Sequence, residues 1–223
     1  MSDFAANSFL DILGYNRISI VVPGGTTPKL FYQILFNKKL NFSKVCFVLS
    51  DERLVHPSKK ESNYGMLKKI IQSKVPKSYQ PQIIPEMELF GNLSIDDFIT
   101  HTNKILDGVM PVENAFLGIG EDGHTASLFP HHDLNVKEKY YYKVNFNEDF
   151  DRITLSINFL QNINNISFLV SGKSKQNAID NIFSKAVIKS PSSQLINNSL
   201  GNINILSSNL IIMNEDSEKS INF

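Results

Sequence analysis

Short apolar runs alternate along the chain with stretches in which apolar residues recur every three to four positions. The apolar runs Ile18–Val22 and Val45–Leu49 predict buried strands. Residues 29–36 follow the first run with a helical pattern, and Tyr64, Leu67, Ile70 and Ile71 follow the second with helical spacing. Further strands are predicted at Gln82–Ile84, at 115–119, at 153–157 and at 167–170, with one at 211–213 closing the sheet. Helices are predicted over 95–106, where Phe98, Ile99 and Thr102 share a face, and around Ala178, Ile179, Ile182 and Phe183. The segment 188–208 is rich in Ser and Asn and reads as surface loops between short elements. Strand, turn and helix in repeated succession predict an α/β fold, a doubly wound, mostly parallel sheet with helices on both faces. No internal repeat or domain boundary stands out, so residues 1–223 read as a single domain.

Composition narrows the class without changing that picture. A chain of 223 residues, 42% hydrophobic and 20% charged, is ordinary for a globular protein and long enough to bury a core without cross-links. Lys and Arg number 22, as do Asp and Glu, so the net charge is zero. That balance argues against broad binding to nucleic acid or to an anionic membrane, and still allows a local basic pocket. The single cysteine, Cys46, excludes an internal disulfide and sits within an apolar run, as a buried, inert thiol does. The opening "MSDFAANSFLDILGYNR" has no basic segment and no long apolar core; no signal peptide or membrane span is expected, and the expected location is cytoplasmic.

In a sheet of this kind ligands bind beyond the carboxyl ends of the strands. Four strand-end segments, 23–28, 50–56, 118–127 and 171–175, hold nearly all the suggestive polar residues and are expected to converge on one rim. In "PGGTTP", Gly24 and Gly25 let a ligand approach the backbone, with Thr27 predicted as the helix N-cap and Pro28 as its first residue. Free amides at that helix start suit an anion; the alternative is a plain strand–turn–helix connection. In "SDERLVHP", Arg53 suits an anionic or carbonyl oxygen, and Asp51 suits a sugar hydroxyl or a histidine; the alternative is a solvated loop with a surface ion pair.

The segment "LGIGEDGHTAS" contains Gly118-x-Gly120-x-x-Gly123, formally a dinucleotide fingerprint. Glu121 and Asp122 within the turn would repel a pyrophosphate, and Pro130 soon stops any helix after it, so that reading is rejected. His124 is either a general base whose tautomer Asp122 fixes, or a structural histidine capping the turn. Arg152, at a strand start, and Lys175, at a helix start, are cations for an anionic ligand, or simply exposed charges. His56, His101, His131 and His132 read as surface residues. There is no H-E-x-x-H, no cysteine pair and no G-x-S-x-G, so no metal and no cofactor are expected and water is the expected nucleophile.

The segments "PGGTTPKLFYQIL", "SDERLVHPSKKESNYGM", "GIGEDGHTASLFP" and "RITLSINFLQNINNISFLVSGKSKQNAI" resemble 6-phosphogluconolactonases in order and spacing, over roughly 18–183. The resemblance implies hydrolysis of 6-phospho-D-glucono-1,5-lactone to 6-phospho-D-gluconate, the second step of the oxidative pentose phosphate pathway. It implies that His124 activates water against C1 and that Asp122 supports the turn. It sets Arg53 and Asp51 against the lactone ring, Arg53 stabilising the oxyanion, and gives the phosphate end to Gly24, Gly25, Thr26, Thr27, Arg152 and Lys175. The implied partner is a sugar phosphate lactone, with no nucleic acid and no membrane.

Glucosamine-6-phosphate deaminases share the fold and a similar D-G-H turn but continue to a glutamate. Here Phe129 stands at that place, and "DER" replaces their "DEY", which disfavours the deaminase. The first turn has Gly-Gly-Thr-Thr-Pro where lactonases commonly have Gly-Gly-Ser-Thr-Pro; His131-His132 follow Pro130 where a glycine is common, and the chain is slightly short. A sugar-phosphate sensor without activity and a dinucleotide oxidoreductase are the remaining alternatives.

Overall fold

The structure is a computed structural model that describes residues 1–13, 17–145, 150–183, 190–208 and 221–222. Its elements run α1 (Ser2–Ile12), β1 (Ile18–Val22), α2 (Thr26–Asn37), β2 (Val45–Leu49), β3 (Asp51–Arg53), α3 (Asn63–Lys74), β4 (Gln82–Ile84), α4 (Ile95–Asp107) and β5 (Val112–Gly118). There follow β6 (Tyr141–Val144), β7 (Arg152–Leu155), α5 (Ile157–Gln161), β8 (Asn165–Ser171), α6 (Gln176–Phe183), α7 (Pro191–Asn198), β9 (Asn202–Ser208) and β10 (Ile221–Asn222).

The main sheet has the order β10-β9-β8-β5-β1-β2-β4, and every pairing in it is parallel. All five residues of β2 and the last four of β1 are buried. A central parallel strand covered on both faces requires such a continuous apolar run, which is why alternation is absent there. From β1 the chain builds one way through β2 and β4, then returns to the other side of β1 for β5, β8 and β9. The strand order therefore reverses between β1 and β5, and the crevice outside their carboxyl ends is the place such sheets offer to ligands.

Aromatic side chains fix the helices on this frame. Phe9 of α1 lies 5.6 Å from Phe47 of β2 and 6.2 Å from Phe116 of β5, and Phe31 of α2 lies 5.3 Å from Phe116. Helix α1, with Ala5, Ala6 and Phe9 buried, falls in the segment read only for a targeting signal.

Two readings change, and a third is untested. The alternation at 153–157 belongs to a second, antiparallel sheet of order β3-β7-β6, and the strand ends at Leu155. Ser156 then caps α5, its Oγ accepting from the Phe159 amide. The Ser/Asn-rich stretch 188–208 holds α7, capped by Ser190 with Pro191 at its start, and the seven-residue strand β9. The strand expected at 211–213 lies outside the described residues.

Candidate functional site

All four strand-end segments meet in one cleft. Its walls include Gly24 and Gly25 after β1, Asp51 and Arg53 of β3, Gly120 and His124 after β5, Arg152 of β7, and Lys175 after β8.

The turn after β5 answers why glycines and acids share one loop. His124 Nδ1 lies 2.6 Å from Asp122 Oδ1, and the same oxygen accepts from the His124 amide at 3.0 Å. The Gly120 amide donates to His124 O at 2.8 Å and closes the turn. A Cβ at Gly120 would stand 2.1 Å from His124 Nδ1 and 2.7 Å from Asp122 Oδ1. The glycine is there so that imidazole and carboxylate can lie across the backbone, not so that the backbone can wrap a phosphate. Gly123 has φ +81°, the left-handed region that favours glycine. Glu121 is exposed and does not line the cleft.

Burial works to raise the Asp122 carboxyl, but the His124 amide and imidazole outweigh it and hold it below the ordinary carboxylate range. An ionised Asp122 keeps the proton on Nδ1, which leaves Nε2 as the basic nitrogen. The imidazole packs against Phe129, ring centroids 4.8 Å apart, and the Arg152 guanidinium lies 5.5 Å from the same ring. His124 is thus held from two sides, by Asp122 and by Phe129.

The "DER" segment is a strand, not a solvated loop. Asp51 is buried; its Oδ1 accepts from Ser50 Oγ at 3.0 Å and its Oδ2 from Ser127 Oγ at 2.6 Å. It therefore orients serines, and the carboxylate on the histidine is Asp122. Arg53 Nη1 donates to Glu61 O at 2.7 Å and to Asn63 Oδ1 at 3.4 Å. Its Nε is enclosed with no hydrogen-bond partner among the described residues, while the side chain as a whole lines the cleft.

At the first turn the helix start differs from the expected one. The N-cap of α2 is Gly25, with φ +92° and open space where a Cβ would be; Thr26 and Thr27 begin the helix and Pro28 follows. No side-chain hydrogen bond caps this end, so its first-turn amides are left to other acceptors. The side chains of Thr26 and Thr27 lie outside the described residues. Tyr32 donates from its hydroxyl to Pro23 O at 2.6 Å and ties the turn to α2. Lys175 is half-buried, in the short 3₁₀ turn before α6.

Asn63, Ser127 and Glu52 escaped the sequence reading. Asn63 lines the cleft and Ser127 joins Asp51 to Arg152, whose Nη1 is 3.4 Å from Ser127 Oγ. The available signal was Ser62, a helix N-cap, which puts Asn63 in the first turn of a helix beside the sheet end. His132, read as a surface residue, is half-buried against Phe129 at 5.4 Å, and burial with the neighbouring His131 pushes its pKa down. His101 is likewise half-buried, with Nε2 enclosed.

Comparison with known proteins fits this geometry. Residues 5–204 match the family model described as glucosamine-6-phosphate isomerases/6-phosphogluconolactonase. The chain belongs to this family. A Dictyostelium discoideum relative named "Probable 6-phosphogluconolactonase" is 30% identical over 212 residues, covering 91% of this chain and 89% of its own. A 6-phosphogluconolactonase of Nostoc sp. is 29% identical over 173 residues, 75% of this chain and 72% of its own. The fold matches a solved 6-phosphogluconolactonase from Shewanella baltica with a TM-score of 0.77 at 21% identity, over 93% of this chain and 94% of the other. Within a family that joins isomerases and lactonases, this member carries Phe129 against its histidine, a side chain that cannot move protons. Among the described residues, no helix is long and apolar enough to cross a membrane.

Proposed function

We propose that this family member is a lactone hydrolase, a 6-phosphogluconolactonase acting in the cytoplasm as a single domain. The observation that carries the reading is His124, paired with Asp122 at 2.6 Å, in the same cleft as Arg53, Arg152 and Lys175.

The chemistry runs through this chain's own groups. With Nδ1 tied to Asp122, His124 Nε2 takes a proton from water as the water oxygen bonds to C1 of the lactone. The carbonyl electron pair moves onto its oxygen, and the Arg53 guanidinium, which lines the cleft, stabilises that oxyanion. Collapse breaks the bond between C1 and the ring oxygen, which takes the proton back from Nε2. Asp51, through Ser127, orders the wall beside the ring. Arg152, Lys175, Gly24, Gly25 and the amides of Thr26 and Thr27 hold the phosphate at the other end. The glutamate-dependent ring opening of a deaminase has no counterpart at Phe129.

The test is lactone opening followed by proton release, corrected for spontaneous hydrolysis. Turnover well above that background supports the reading. Binding of 6-phosphogluconate without turnover assigns a sensor instead, and ammonia release from glucosamine 6-phosphate assigns a deaminase.

A further inference from the structure

Glu52 lies between two cleft residues, Asp51 and Arg53, yet is completely buried and touches none of the cleft itself. A carboxylate removed from water needs donors, and here four converge on it. Its Oε1 accepts from the Arg53 amide at 2.7 Å and the Asn63 amide at 2.8 Å; its Oε2 accepts from the Tyr64 amide and from Ser62 Oγ at 3.2 Å. Three of these donors belong to the capped start of α3, where a negative charge is also favoured by the helix dipole. One side chain thereby fastens β3 to the first turn of α3.

What is fastened matters more than the fastening. Asn63, held by its amide, donates from Nδ2 to Asp51 O at 3.0 Å, and its Oδ1 lies 3.4 Å from Arg53 Nη1. The same carboxamide packs on the first turn, since a Cβ at Gly24 would stand 2.0 Å from Asn63 Cγ. The Arg53 guanidinium is further anchored on Glu61 O, just before α3. The position of the guanidinium relative to the Gly24 turn is therefore set by where α3 begins, and Glu52 sets where α3 begins against β3.

We propose that Glu52 is a positioning residue for the reaction, acting on the oxyanion through Arg53 and Asn63 without touching substrate. The inference rests on the lactonase reading and deepens it. Its prediction is non-additivity, because a residue that works only through Arg53 has nothing left to do once the guanidinium is gone.

The test is a double-mutant cycle of Glu52→Gln and Arg53→Ala, assayed at about pH 8 with thermal melts of each protein. Glutamine keeps the shape but offers one acceptor oxygen and turns an NH2 toward backbone donors. Glu52→Gln is expected to lower kcat by about tenfold or more with KM within about twofold, and to have no further effect on kcat in the Arg53→Ala background. Losses that multiply, or a Glu52→Gln enzyme with wild-type kcat, overturn the proposal. If Glu52→Gln fails to fold, Asn63→Ala takes its place in the cycle, with the same non-additivity expected and multiplicative losses again overturning the idea. Wild-type turnover reports separately on the lactonase reading. A wild type inert toward the lactone would overturn the lactonase reading and, with it, the role assigned to Glu52.

Discussion

Arg53 and Arg152 are register partners across the antiparallel β3–β7 pair, and both line the same cleft. Like charges directly opposite each other on neighbouring strands oppose pairing, and an anion between or beside them relieves that cost. Lys175 lines the same cleft, so three cations face whatever it holds, which suits a ligand bearing negative charge.

Replacing the phosphate-end cations should therefore be selective. Arg152→Ala and Lys175→Ala are each expected to weaken binding of 6-phosphogluconate by about tenfold or more, the loss of one charge-assisted contact. Unphosphorylated gluconolactone should lose about twofold at most. Calorimetric titration of both ligands decides; equal losses for both remove these residues from the phosphate site.

His124→Ala is expected to lower the rate above background by about 10²- to 10⁴-fold, the usual share of a general base, with the melting temperature little changed because the ring is partly exposed. Asp122→Asn should lower kcat in the same direction, since an amide no longer fixes the proton on Nδ1. Proton-release kinetics on the folded variants measure both. A His124→Ala enzyme at wild-type rate would falsify the assignment.

Activity should fall as pH drops from about 8 to about 5, because the positioning carboxylate of Glu52 takes up a proton in that span and can no longer accept from every donor around it. Asp122, held below the ordinary carboxylate range, stays ionised over that span and adds no second inflection. Glu52 does titrate there, since burial pushes its carboxyl up to about 7 against the pull of the Tyr64, Asn63 and Arg53 amides. The profile is therefore measured on Glu52→Gln as well. An acid limb that is lost in that variant belongs to Glu52, and one that persists unchanged removes Glu52 as its source.

Gly120→Ala places a methyl 2.1 Å from His124 Nδ1, so the imidazole and the Asp122 carboxylate must move together. The expected result is loss of kcat by about 10²-fold or more, with a modest drop in melting temperature. Steady-state kinetics beside a thermal melt test it, and wild-type kcat would mean the ring is held in some other way.

Cys46 is buried within β2, and burial pushes its thiol up to about 12. A thiol reagent at about pH 8 should label the native protein no faster than it unfolds, and label it at once in denaturant. Rapid labelling of the native state would contradict the burial of β2.

The central strands and the rim were legible because their sequence signals are local. Continuous apolar runs mark β1 and β2, and charged or glycine-rich ends mark where they stop. The antiparallel sheet was not legible as such: the alternation of β7 looks the same whichever sheet receives it, and β3 has only three residues, two of them acidic. Helix α7 was hidden by its Ser/Asn composition although Ser190-Pro191 is a sound helix start. Within the site, His124 and Asp122 were readable from their spacing, whereas the partners of Asp51 required the fold. Ser127, 76 positions away, meets it only because the loop after β5 crosses over β3.

One contact ties the chemistry to a part of the chain that carries none of its motifs. The Ser192 amide at the start of α7 donates to Gly123 O at 3.0 Å, and Ser190 sits so close that a Cβ at Gly123 would stand 2.5 Å from its own Cβ. A protein trimmed just after α6 would keep every cleft residue and lose the brace behind the histidine turn. Minimal versions cut to the recognisable motifs are thus expected to be poor catalysts, and swaps of α7 between relatives offer a way to tune the imidazole from behind.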